Sequence, residues 1–334
     1  MEKYSSAEDC FKSGLKNYNS GNFNDAIGLF SIAIALYPDY KDAYLWRGNA
    51  YDELKKYSEA LSDYSMTIEI DNNFEGGYYN KGLIYYAMKE YVKAIYEYSK
   101  AIELNLDYAY AYSNRGLCYY ELQEFEKAIA DYDKAIKTDS GCLQVYINRG
   151  KAYLTLELFG KAHDDFTKAI KLNPEYALAY YCRGNLYYRL FNMNLALREY
   201  SIAIKLNPEY SDAYSNRGNV LKELECFEQA IMDYDKAIEI ESKNNIVRFD
   251  LFYNRGTAYS KLYKYELGIS DLSKAIELNP DFAEAYNNRA ITYQRSGNLE
   301  KAHNDWKKAD SLGLPIAKEL LSRFCKDDIK NDTK

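Results

Sequence analysis

A cation and an acid recur along this chain at one fixed separation, and they are the first residues to weigh for chemistry. Arg47, Lys81, Arg115, Arg149, Arg183, Arg217, Arg255 and Arg289 are each followed 16 residues later by an acid: Asp63, Glu97, Asp131, Asp165, Glu199, Asp233, Asp271 and Asp305. An amide stands just before most of these cations, at Asn80, Asn114, Asn148, Asn216, Asn254 and Asn288, with Trp46 and Cys182 interrupting the series. Guanidinium groups can hold anions, carboxylates and histidines can move protons, and an amide offers a donor and an acceptor to an extended peptide. Catalysis needs one unique constellation, whereas here every acid is a repeated feature. His163 and His303 occupy equivalent places far apart in the chain. No catalytic residue is assigned, and a non-enzymatic protein is expected. The cations are read as scaffold, because the place that loses its charge (Ser13) is matched by an acid place that has lost it too (Leu29). Correlated loss points to a partly buried pair inside one structural unit. The amides remain as candidates for contact with a partner, the competing reading being that they cap the neighbouring unit.

The elements that position these residues follow from a longer period. Gly14, Gly48, Gly82, Gly116, Gly150, Gly184 and Gly218 are spaced by 34 residues, Gly256 follows after 38, and Ala290 takes the same place 34 later. Numbering each unit so that this small residue is position 8 gives nine units: 7–40, 41–74, 75–108, 109–142, 143–176, 177–210, 211–244, 249–282 and 283–316. Apolar or aromatic residues at positions 4, 8 and 11 share one helical face, as do those at 17, 20, 24, 27 and 28, so each unit reads as a helical hairpin. Small residues at 8, 20 and 27 let two backbones approach. Rings at 11 and 24, such as Tyr51 and Tyr64, fill the space beside them, which explains much of the excess of 38 Tyr. Pro38, Pro174, Pro208 and Pro280 mark the ends of second helices. The four extra residues Asn245 to Arg248 amount to about one helical turn. They predict a longer first helix in the eighth unit or a local change of pitch. After the last unit, "PIAKELLSRFCKDD" places Ile316, Leu320, Leu321 and Phe324 on one face of a capping helix expected over 317–326, with a frayed charged tail at 327–334.

Composition narrows the partners. A net charge of −7 opposes binding to nucleic acid or to anionic membranes. No apolar run approaches the roughly 18 to 20 residues of a membrane span, and the start lacks a secretory pattern, so a cytoplasmic protein is expected. Cys10, Cys118, Cys142, Cys182, Cys226 and Cys325 have no paired short spacing, so no metal, cofactor or disulfide framework is expected.

With its small residue at 8, Tyr at 11, Ala at 20, an aromatic at 24, Ala at 27 and Pro at 32, the chain resembles the tetratricopeptide repeat (TPR) family over residues 7–316. The resemblance implies an all-α, right-handed superhelical α-solenoid of helix-turn-helix repeats. It also implies a concave groove, lined by first helices, that binds peptide segments of other proteins. The position-6 asparagines look into that groove in the family. Tyr79, Tyr86, Tyr110, Tyr120, Tyr181, Tyr188 and Tyr253, at positions 2, 5 and 12, join them as candidate partner-binding residues, combining rigid aromatic area with adaptable hydrogen bonding. Asn114 and Asn148, flanked by Tyr86, Tyr110 and Tyr120, are expected to matter most. The family's clamp for chaperone C-terminal carboxylates requires Lys at position 5, and no unit has Lys or Arg there. A monomeric protein-interaction scaffold is the leading expectation. The alternatives are a self-associating structural repeat protein and a regulatory subunit binding a globular enzyme by its convex face.

Overall fold

The structure is a computed structural model that describes residues 6–324. The expected tail 327–334, Cys325 and the last residues of the expected capping helix lie outside the described residues. Two compact units divide the chain after Leu172. The first holds α1 (Ala7–Asn19), α2 (Phe23–Leu36), α3 (Lys41–Glu53), α4 (Tyr57–Ile70), α5 (Glu75–Ala87), α6 (Tyr91–Leu104), α7 (Ala109–Glu121), α8 (Phe125–Thr138), α9 (Leu143–Thr155) and α10 (Phe159–Leu172). The second holds α11 (Ala177–Arg189), α12 (Met193–Leu206), α13 (Ser211–Glu223), α14 (Phe227–Lys243), α15 (Phe249–Lys261), α16 (Tyr265–Leu278), α17 (Ala283–Arg295), α18 (Leu299–Ser311) and α19 (Pro315–Phe324). No strand occurs among the described residues.

Each unit is an all-α solenoid stack of helical hairpins. Within a unit, a helix packs on its neighbours in the chain, and each first helix also touches the next first helix. Burial is therefore spread over a row of small clusters rather than gathered in one core. The hairpins close because a glycine on the first helix receives a ring from the second. A Cβ on Gly48 would lie 2.7 Å from Tyr64, and one on Gly218 would lie 2.8 Å from Tyr234. Tyr64, Tyr98, Tyr132, Tyr200, Tyr234, Phe30 and Phe166 are consequently among the largest fully buried side chains.

The hairpin turn is a left-handed residue at position 15. Gly21 and Gly297 hold it at the ends of the array, but Lys55, Lys89, Gln123, Glu157, Phe191, Glu225 and Tyr263 adopt the same positive φ. The residue after it bonds back across the turn, as Lys56 N–H to the Tyr51 carbonyl at 2.8 Å, which satisfies a helix-end acceptor.

The four inserted residues do not lengthen a first helix. α15 has the usual 13 residues, and it is α14 that grows, to 17. Ser242 stands where proline would stop the helix, so backbone N–H groups remain to continue it until Asn245 turns left-handed. Arg248 then anchors the start of α15, bonding Asp250 and, at 2.7 Å, Asp212 on α13.

α19 begins at Pro315 and packs on α18. Its buried residue is Ala317, set with Ala290, Ala302, Trp306 and Ala309, while Leu320 and Leu321 pack against that cluster. Phe324 stacks on Trp306, their centroids 5.6 Å apart. Ile316, expected on the inner face, is exposed.

Candidate protein-interaction site

The cation–acid pairs sit inside the hairpins. Arg47 meets Asp63 through Nε and Nη2 at 2.8 and 2.7 Å, and Arg115, Arg149, Arg217, Arg255 and Arg289 grip their acids with the same fork. Arg183 does so with Glu199, and Lys81 reaches Glu97 at 2.9 Å. The third nitrogen was not foreseen. Nη1 crosses to the preceding repeat and bonds Ser31 from Arg47, Ser99 from Arg115, Ser201 from Arg217 and Ser273 from Arg289. In two repeats the receiving residue is an acid, Asp133 for Arg149 and Asp235 for Arg255. One guanidinium thus closes a hairpin and fastens it to its neighbour. Burial raises the Asp63 and Asp165 carboxyls above their ordinary range, against the opposing pull of Arg47 and Arg149. This series is scaffold.

The asparagines lie between first helices. Asn216 Nδ2 donates to the Tyr181 hydroxyl at 3.1 Å and to Asn185 Oδ1 at 2.9 Å, both on the preceding first helix. Asn288 does the same with Tyr253 at 3.0 Å and Thr257 at 3.2 Å. Asn114 donates to Tyr79 at 3.0 Å, and Asn80 to Asn49 at 3.4 Å. These position-6 amides therefore donate to the neighbouring repeat, through its side chains rather than its backbone. The Oδ1 atoms of Asn80, Asn114 and Asn216 receive no donor from the described residues, and all three side chains are half-buried. Asn148 differs: it is buried, and its Oδ1 accepts from Gln144 on its own helix at 3.0 Å. Asn254 differs again, accepting from Lys222 Nζ at 2.7 Å.

Position 9 completes the lock. Asn49, Asn185 and Asn219 each accept from the ring hydroxyl of their own second helix, Tyr64, Tyr200 and Tyr234, at 2.8 to 2.9 Å. Where position 9 is Leu83 or Leu117, the hydroxyls of Tyr98 and Tyr132 are buried without a partner. A signal for these residues was present, since each position-9 asparagine is followed 15 residues later by Tyr.

The tyrosines divide into two groups. Tyr79, Tyr181 and Tyr253 accept from the asparagines and pack on the rings that end their repeats: Tyr79 on Tyr108 at 5.0 Å, Tyr181 on Tyr210 at 4.9 Å and Tyr253 on Phe282 at 4.8 Å. Burial raises the Tyr108 hydroxyl to about 12. Tyr86, Tyr120 and Tyr188 are half-buried about two helical turns along, and Tyr110 is 62% exposed. Burial raises Tyr86 and Tyr188 as well, with Glu121 and Glu223 adding to it, so both are neutral donors.

Family models described as tetratricopeptide repeat match residues 11–73, 109–142, 211–244, 249–282 and 272–304, and a TPR repeat model matches 82–123 and 159–190. The chain belongs to the tetratricopeptide repeat family. No curated protein matches it. Among solved structures, the TPR chain is similar to the anaphase-promoting complex hetero-tetramer Cut9-Hcn1, with 16% identity, 95% of this chain and 76% of that one covered, and a TM-score of 0.61. A tetratricopeptide repeat protein from Parabacteroides merdae aligns at 18% identity over 75% of this chain and 98% of its own, with a TM-score of 0.59. Yeast Tom70 aligns at 17% identity over 98% and 90%, with a TM-score of 0.53. These likenesses establish the fold. The TPR family carries a general role as a protein-interaction scaffold, and no helix among the described residues is long and apolar enough to cross a membrane.

Proposed function

We propose that this TPR array is a non-enzymatic scaffold that holds an extended peptide segment of a protein partner along its first-helix face. The observation that supports it is the set of half-buried asparagine Oδ1 acceptors, Asn80 and Asn114 in the first compact unit and Asn216 in the second, each amide fixed by its donation to the preceding repeat and left without a donor among the described residues. An extended peptide presents backbone N–H groups that such acceptors can receive. Tyr86, Tyr120 and Tyr188, on the same first helices, add half-buried ring area, and burial keeps the Tyr86 and Tyr188 hydroxyls neutral. The amides are held in place before the partner arrives, which lowers the entropy cost of binding.

Affinity capture on the intact array, followed by peptide mapping, supplies the segment. Replacing Asn80 and Asn114 by Ala together should then weaken that segment's binding by about 1 to 3 kcal/mol, the cost of hydrogen bonds left unmade, with helix content preserved. Calorimetry and thermal melting on the same variant check this. Unchanged affinity with a lowered Tm would reduce these amides to an inter-repeat fastening.

A further inference from the structure

Lys222 occupies position 12 of its repeat, where Tyr86, Tyr120 and Tyr188 stand in theirs. Its Nζ bonds only an amide oxygen, Asn254 Oδ1 at 2.7 Å, and no carboxylate of the described residues lies within 4 Å of it. Burial holds its pKa below the ordinary lysine value, and the charge of the adjacent Glu223, which pulls the other way, offsets this only in part.

The neighbouring amides are equally short of acceptors. The preceding repeat has Ser215 at position 5 rather than Tyr, so Asn254 finds no ring oxygen to donate to. At position 9, Asn219 Oδ1 accepts from the Tyr234 hydroxyl at 2.8 Å, but the second bond that Asn185 Oδ1 receives from Asn216 has no counterpart here from Asn254. The Nδ2 groups of Asn254 and Asn219 therefore have no acceptor among the described residues. In the same compact unit the equivalent fastenings between α11 and α13 and between α15 and α17 are closed by Asn216 and Asn288. The step from α13 to α15 lacks this asparagine fastening and is crossed by Lys222 instead, and all three of its donor side chains are half-buried rather than sealed. The acids on the neighbouring first turns, Asp212 and Asp250, are engaged by Arg248. Positive charge continues along the first helices at Lys261 and Arg295, both exposed, which border a cavity of about 250 Å³ with Asn288 and Thr292.

We propose that Lys222, Asn254 and Asn219 receive a carboxylate of the bound segment, an Asp or Glu side chain, so that this part of the array selects an acidic peptide. A carboxylate supplies the acceptors that the three groups lack, and the cations beyond favour further acids on one side of it. This rests on the reading of the first-helix face as a peptide site, and the test separates the two.

The probes are a fluorescein-labelled Glu–Ala repeat peptide and its Gln–Ala counterpart, titrated with the intact chain at low ionic strength and followed by anisotropy. The Glu peptide should bind about tenfold or more tightly than the Gln peptide, the loss expected for a charge-assisted bond to a desolvated group. Lys222→Met should abolish that preference and Lys222→Arg should retain it. Equal binding of the two peptides, weakened by Asn80→Ala and Asn114→Ala but not by Lys222→Met, would leave the groove reading standing and overturn the carboxylate site. Binding of neither peptide would overturn both. Thermal melting adds a readout that a structural lysine would move the other way. Its folded pKa lies below the unfolded value, so Lys222 destabilises below that folded pKa, and the penalty fades as pH rises toward the ordinary lysine range. Lys222→Met should raise Tm at neutral pH, by a margin that narrows in alkali. A fall in Tm would make Lys222 a structural tie.

Discussion

Arg149 holds two acids with one planar group: Asp165 through Nε at 2.9 Å and Nη2 at 2.7 Å, and Asp133 of the preceding repeat through Nη1. The two contacts should differ in worth. Asp165 is buried, whereas the Asp133 side chain is 53% exposed and open to screening. A double-mutant cycle on Arg149 and Asp165 should give a coupling of about 0.5 to 3 kcal/mol that resists added salt, and the Arg149–Asp133 cycle a smaller one that salt removes. Equal, salt-insensitive couplings would contradict this ordering. Lys81 tests the same geometry from the other side. A lysine is a point donor, so Glu97 keeps one buried oxygen without a partner. Arg183 with Glu199 demonstrates that an arginine fork fits a glutamate at this place, at 2.9 to 3.0 Å. Lys81→Arg should therefore stabilise the chain by about 1 kcal/mol in denaturant unfolding. The pair within a hairpin was legible because its two members are lost together at Ser13 and Leu29. The link to the preceding repeat was not, since serine, threonine and aspartate alternate at the receiving place and no single residue type marks it.

At the scale of the element, helix content was legible and helix punctuation was not. Apolar periodicity and small residues at fixed places mark a helical hairpin whatever the surface carries. The hairpin turn, however, sits in the left-handed region on Lys55, Lys89, Gln123, Glu157, Phe191, Glu225 and Tyr263, residue types that do not announce such a conformation. Packing of the two helices imposes it, and each such residue costs about 1 kcal/mol or somewhat more relative to glycine. Phe191 is the clearest case, with a φ of 55° and a side chain 83% exposed, so its ring returns little burial. Phe191→Gly should stabilise by about 1 kcal/mol without altering helix content, as read by denaturant unfolding and circular dichroism. A destabilised Phe191→Gly protein would mean that the ring has a contact that offsets its backbone strain. The longer first helix expected from the insertion is not formed, for a related reason: length alone fixes how many residues are added, while the absence of proline at Ser242 lets the preceding helix take them up. The groove asparagines were legible as a series, but their bonding was not. Whether an asparagine donates, as Asn216 does, or accepts from a lysine, as Asn254 does, depends on residues of a different repeat.

At the scale of the whole molecule, the organisation of each compact unit has a consequence for how it comes apart. Helices touch only near neighbours in the chain, so stability is close to a sum of hairpin terms and nearest-neighbour interfaces. Damage to one hairpin should spread to the adjoining ones and then fade. Gly218 provides the lesion, because any Cβ there meets the buried Tyr234 ring at 2.8 Å, and Tyr234 is itself tied to Asn219. Gly218→Val must displace that ring or part α13 from α14, at a cost of roughly 1 to 3 kcal/mol for overpacking. Hydrogen exchange measured by mass spectrometry should then report lost protection in α13 and α14, partial loss in α12 and α15, and native protection in α18 and α19, which keep the Trp306–Phe324 stack and the Ala317 contact. Uniform loss from α11 through α19 would mean that this unit opens as a single cooperative body, and the additive picture would have to be given up. The fading pattern also bears on binding, because a face assembled from separately stable steps can keep the Asn216 fastening ordered while the Lys222 step gives way.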